Sequence, residues 1–273
     1  MPLRCAQPPT DLNEEAFMPT SDFSVLELSR LDRERHLCAL AAPYDKRAGL
    51  MALIAFNREL ARIGATVSEP MLGKIKLQWW IDVIPGILQG RPPSHPVARA
   101  LAEVADRLQH RSGQLKALAE ARNFDLETAK PASLDDVLAY AYATGGALHT
   151  LMLDVLGVAD DDAHAAARDI GAAWALIGVM RALPYQTSGH GRDMLPLGVS
   201  VRDVLVQAQG LLCAARERCV PKVALPAVLV GRLADRHLAR LEKQNWDPAL
   251  IEEPPAGAGA VVTVWWGKIT GRY

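Results

Sequence analysis

Two arginines, Arg58 and Arg62, stand four residues apart in the run LIAFNRELARIGA, residues 53–65. On a helix that spacing puts both side chains on one face, and planar guanidinium forks match a phosphate or an anionic lipid head group. The plainer alternative is internal pairing with Glu59, Glu69 or Asp82, because buried arginines usually find carboxylates. Other residue types that could do chemistry point elsewhere. Asp160, Asp161 and Asp162 follow Gly157 and suit a helix N-terminus, where acids offset the dipole, better than a metal cluster; Asp135 and Asp136 read the same way. His149 has no neighbour suggesting acid–base work and is expected in the core. Cys5, Cys38, Cys213 and Cys219 lack zinc-ligand spacing and are expected to be reduced thiols.

The elements that must hold these residues are helical. Leu53, Phe56, Leu60 and Ile63 step by three, four and three, which draws one apolar stripe. Ser68, Ser133 and Ser200, each followed by acid or proline, mark helix starts, and Gly90, Gly157 and Gly189 mark stops. The pattern predicts helices near 23–41, 46–66, 69–89, 96–110, 113–127, 133–156, 161–184, 200–219 and 222–244, with a weaker one at 258–270. Residues 133–156 and 161–184 are apolar nearly all round and rich in Ala and Gly. They belong at the centre, either packed closely or lining a cavity. Residues 1–22 are expected to be a flexible segment and 23–273 one all-α domain.

Composition bounds the function. The chain has 273 residues, half of them hydrophobic, and a formal net charge of −1. It is long enough for a large core, and no basic run supports nucleic-acid binding. No stretch reaches the roughly 18 apolar residues of a membrane span. Trp265 and Trp266, in a short amphipathic tail, offer peripheral contact with a membrane or a partner.

With these residues in view, the chain resembles the squalene/phytoene synthase superfamily, in a match running from about residue 30 to 230. The family's first catalytic helix reads approximately Phe-Cys-Arg, two spacers, Asp-Asp, two more, then Asp. Phe56 and Arg58 keep the frame, but the aspartate positions fall on Ala61, Arg62 and Ala65. LQWW, residues 77–80, and Asp82 resemble a Trp-Trp-Arg-Asp-like helix, and Tyr140 to His149 resemble the tyrosine-rich helix. The second aspartate-rich helix aligns with Ala175 to Ala182. There Arg181 is kept, Ala182 and Gln186 replace the aspartates, and Gly191, Arg192 and Pro196 follow in frame. A divergent branch with Phe-Asn-x-Glu-Leu, Val-Ser-Glu, Arg-Ala-x-Pro-Tyr and a final tyrosine is more similar still; it contains a mitochondrial complex I assembly factor.

The resemblance implies an all-α isoprenoid-synthase fold with a central apolar cavity. In the family, magnesium bridges those aspartates to a diphosphate, since hard oxygen ligands suit that ion. With all five positions changed, no cofactor and no Mg²⁺ is expected, and Arg58, Arg62, Arg181 and Arg192 become candidates for binding an anion or lipid. The resemblance therefore implies a non-catalytic assembly or accessory factor for complex I. The alternatives are a prenyltransferase with a rearranged site and an isoprenoid or phospholipid carrier. The expected partners are complex I subunits or assembly intermediates. The expected place is the cytoplasm at the inner face of the membrane in a bacterium, or the mitochondrial matrix or inner membrane in a eukaryote.

Overall fold

The computed structural model describes residues 31–187, 192–250 and 257–273, and among these the chain is helical without a strand. Helix α1 covers Arg33–Leu40, α2 Tyr44–Thr66, α3 Pro70–Leu88, α4 Pro96–Ala102, α5 Ala105–Leu108 and α6 Ser112–Ala121. A 3₁₀ turn, Arg122–Leu126, precedes α7, Leu134–Ala141. One π turn, Tyr142–Gly146, joins α7 to α8, Ala147–Leu156. The chain continues with α9, Asp161–Thr187, then α10, Val201–Arg216, α11, Leu225–Val228, α12, Val230–Lys243, and α13, Ala258–Thr270.

Local chemistry sets most of these boundaries. Ser133 with Asp136 and Ser200 with Asp203 form reciprocal capping boxes, satisfying orphan N–H groups at both ends of the exchange. The Asp160 carboxylate accepts from the Ala163 N–H at 2.7 Å, so the acidic triplet does open a helix. Gly90 and Gly157 adopt positive φ where α3 and α8 stop. Gly189, the segment 1–22 and residues 23–30 of the helix predicted at 23–41 lie outside the described residues. Three expectations need correction. Ser68 does not cap α3; extended Glu69 precedes Pro70, whose fixed φ starts the helix. The helix predicted at 96–110 breaks after Ala102, where Val104 leaves helical geometry. The one predicted at 113–127 tightens into the 3₁₀ turn at Arg122.

Helix α9 is the hub, with α7, the π turn, α8, α10 and α12 packed on it. The crossing with the π turn is unusually close: a methyl group on Gly145 would overlap the Gly171 carbonyl, and one on Gly171 would overlap the Gly145 carbonyl. Only paired glycines permit that approach. On α2 the predicted stripe is buried, with Leu53, Phe56 and Leu60 fully enclosed and Phe56 edge-on to Trp80 at 5.2 Å between centroids. His149 is buried, and its Nδ1 lies 2.5 Å from the Ala227 carbonyl oxygen.

Candidate functional site

The faces of α2 and α9 that line one cavity beside the glycine crossing are built from small side chains. Ala61, Gly64 and Ala65 recur at helical spacing on α2, and Ala175, Gly178 and Ala182 do so on α9. Between them lies a cavity of about 330 Å³. Small residues here serve both expected roles: Gly145 against Gly171 packs, and the stripe beginning at Ala175 leaves space.

Four of the five positions expected to carry family aspartates, Ala61, Ala65, Ala182 and Gln186, line this one cavity. Arg58 and Arg192 line it too. Arg62 and Arg181, expected beside them, do not. Each sits one residue from a lining alanine, and that step rotates a side chain about 100° around its helix. Arg62 turns to Glu59, Nη1 to Oε1 3.1 Å. Arg181 turns to the α1–α12 side, where Nη1 lies 3.6 Å from Glu34 Oε2 and 3.2 Å from His237 Nε2. Burial would raise the Glu34 pKa, but the His237 hydrogen bond and the charges of His237, Arg181 and Arg240 together hold it below its usual value. Glu69 and Asp82 are not the partners: Asp82 accepts from Gln78 at 2.8 Å, and Glu69 is an exposed cap.

The polar wall of the cavity comes largely from residues the sequence did not single out. Arg122, in the 3₁₀ turn, is partly buried and donates to Asn57 Oδ1 at 2.9 Å, Tyr140 Oη at 2.6 Å and Asp125 Oδ2 at 3.3 Å. These bonds join α2, the turn and α7. Burial opposes the Arg122 charge, yet Tyr140 and Asp125 outweigh it and raise the pKa; burial likewise pushes the Tyr140 phenol up. Arg35 on α1 is nine-tenths buried and pairs with Asp32, Nε to Oδ2 3.3 Å. Arg192 donates to the carbonyls of Ala129 and Phe124 at 2.6 and 2.7 Å, pairs with Glu127 at 3.1 Å and lies 3.8 Å above the Phe124 ring. Asn57 could have been found by stepping back four residues from Ala61. Arg35, Arg122 and Asp125 carry no local signal, since only the tertiary fold brings them to α2.

This donor set does not fit Mg²⁺. The lining carboxylates, Asp32 and Asp125, are each committed to an arginine. No group of three His, Cys, Asp or Glu among the described residues could hold a metal. Four lining arginines stand against Asp32, Asp125 and the Glu127 that pairs with Arg192, a surplus of one positive charge. Such a wall attracts an anion directly and repels a cation.

Solved structures share this all-helical architecture. A solved dehydrosqualene synthase superposes with a TM-score of 0.68 at 15% identity, covering 90% of this chain and 95% of that one. A squalene synthase from Alicyclobacillus acidocaldarius does so at 0.65 and 16%, covering 85% and 98%; at these identities the likeness is one of fold. The family model "Squalene/phytoene synthase" matches residues 28–199, and the chain belongs to that family. Among curated relatives, the Bos taurus "NADH dehydrogenase (ubiquinone) complex I, assembly factor 6" is 32% identical over 252 residues, 83% of this chain and 75% of the relative.

Proposed function

We propose that this chain is an accessory factor for the assembly of respiratory complex I, built on a prenyl-synthase fold without prenyl-transfer chemistry. The carrying observation is the cavity: Ala61, Ala65, Ala182 and Gln186 face a space walled by arginines. A diphosphate leaving group needs its charge neutralised as the bond breaks, and the two carboxylates among the lining residues, Asp32 and Asp125, are paired with arginines instead. The names of the sequence relatives support the assembly role. The surface for contact is α13. Its inner side, Ala260, Val264 and Gly267, is buried, whereas Val262, Trp265, Trp266 and Ile269 are exposed. Residues 257–273 contain Lys268 and Arg272 and no acid. That is the composition of a helix lying in the head-group layer of an anionic membrane, and no described helix is long and apolar enough to cross one.

Deleting the gene from its own host is expected to deplete assembled complex I on native gels. The purified protein, given farnesyl diphosphate and Mg²⁺, is expected to form no condensed product. Normal complex I levels would overturn the assembly role, and a squalene- or phytoene-like product would overturn the loss of chemistry.

A further inference from the structure

We infer that α13 is latched to the bundle at both ends by polar contacts, so that its tryptophan side is presented to a membrane preformed and at a fixed attitude. Arg236 is the latch at its start; Tyr273 with Arg216 is the latch beyond its end. This rests on the reading of α13 as the contact surface, and adds which residues hold that surface in place. Packing alone holds the helix weakly. It has 13 residues, a length at which an isolated helix is marginal in water. It lies on α12 and α1, yet its buried residues are only Ala260, Val264 and Gly267. So little apolar area contributes little. Polar contacts supply the rest. Arg236 of α12 donates to the Gly259 carbonyl and to Thr263 Oγ1, the latter at 2.8 Å. A methyl group on Gly259 would overlap that guanidinium, so the first latch needs glycine there.

At the other end Gly271 takes a left-handed φ of 71°, and the chain turns so that Tyr273 reaches the end of α10. The Tyr273 hydroxyl lies 2.7 Å from the Arg218 carbonyl oxygen and 3.1 Å from that of Ala215, and donates there. These carbonyls stand where α10 runs out of its own donors. Burial, with help from the neighbouring Cys219, pushes the phenol pKa up, so the hydroxyl keeps its proton at neutral pH. Arg216 ties the same point to α12. Its Nε donates to the Tyr273 main-chain carbonyl at 2.9 Å, and its Nη2 to Asp235 at 2.6 Å. A helix held at both ends resists rolling on its small inner side. Val262, Trp265, Trp266 and Ile269 recur at steps of three and four, so a fixed roll keeps all of them outward. Lys268 Nζ lies 4.7 Å from the centre of the Trp265 ring, placing a cation beside the apolar side, as an anionic head-group layer requires. Held ready, the face meets that layer without the cost of first ordering a loose segment.

The test reads the full chain by hydrogen–deuterium exchange in solution, and by sedimentation with vesicles of phosphatidylcholine and phosphatidylglycerol. Tyr273→Phe keeps the ring and removes the donor. It is expected to speed exchange across α13 by roughly fivefold, the size of one net hydrogen bond, while exchange in α8 and α9 stays unchanged. The same variant is expected to lower the fraction bound to vesicles several-fold. Arg236→Met, which opens the other end, is expected to have both effects. Unchanged exchange in both variants would overturn the latch. Faster exchange with equal or greater vesicle binding would overturn the preformed presentation, since the helix would then bind when free. If the unaltered protein does not sediment with these vesicles, the membrane reading of α13 fails, and the latch is decided by exchange alone.

Discussion

At the residue scale, Arg122 does more for the fold than any arginine the sequence put forward. Its three acceptors lie on α2, the 3₁₀ turn and α7, so it ties together three walls of the cavity. Asn57→Ala leaves a buried Nη2 without its acceptor, and the expected loss is about 1–3 kcal/mol in denaturant unfolding. Tyr140→Phe should cost a similar amount, and the double variant less than the sum, because both act through one guanidinium. His149 supplies a pH dependence. Burial, reinforced by the charge of Arg35, pushes its pKa down to about 3 from 6.5, against an opposing hydrogen bond to Ala227. Between those values the unfolded chain binds the extra proton, so stability falls as pH falls through that window, by up to about 1.4 kcal/mol per unit. His95, pushed down to about 4 by burial and by the charges of Arg62 and Arg99, acts in the same direction. Stability measured from pH 7 to pH 4.5 is therefore expected to decline, and His149→Gln to flatten the decline. The core placement of His149 was legible from its apolar surroundings. The Arg122 network was not, since hydrogen bonds between residues 65 and 18 positions apart leave no periodic trace.

At the scale of elements, periodicity located nearly every helix, because each buries a stripe that repeats with the helical turn. It placed α13 at 258–270, where the structure also has it. What it could not show was the interruption at residues 142–146, since a π turn changes the hydrogen-bond ring without any proline or break in apolar content. Nor could it separate packing from cavity on α9, as glycine and alanine satisfy both. The crossing makes a strong demand: Gly145→Ala and Gly171→Ala each push a methyl group into backbone. Both should lower the melting temperature by several degrees, whereas Gly178→Ala, which meets nothing within 4 Å, should not. Helix α13 has the opposite character, with Val262, Trp265, Trp266 and Ile269 exposed and Ala260, Val264 and Gly267 buried. Trp266→Ser is expected to reduce sedimentation with vesicles containing an anionic phospholipid while leaving the melting temperature unchanged. Equal sedimentation would remove the membrane from the account of α13.

At the scale of the whole molecule, the facing sides of α2 and α9 turn small side chains toward the cavity, and the surrounding walls carry guanidinium groups. Restoring one charge is a direct check. Ala61→Asp places a carboxylate one turn from Arg58, where it should pair with that arginine, and adding Mg²⁺ is expected to leave the variant's melting temperature unchanged, because one added carboxylate does not make a magnesium site. The resemblance made the positions of Ala61, Ala65, Ala182 and Gln186 legible because the spacing of a helix face survives substitution. It could not make Arg35 legible, since α1 joins the cavity only through the tertiary fold. The π turn also has a consequence for counting. Each residue advances a regular helix by about 100°, and the π turn takes up one extra residue, so winding 142–146 as regular α-helix with no residue removed would turn all of 147–156 by that angle relative to α7 and carry His149 away from the Ala227 carbonyl. A relative whose tyrosine-rich helix is regular therefore cannot be laid against this chain residue for residue across that point. One gap, placed between Tyr140 and Ala147, keeps both flanks in register, and homology transfer of side-chain roles beyond residue 146 depends on putting it there.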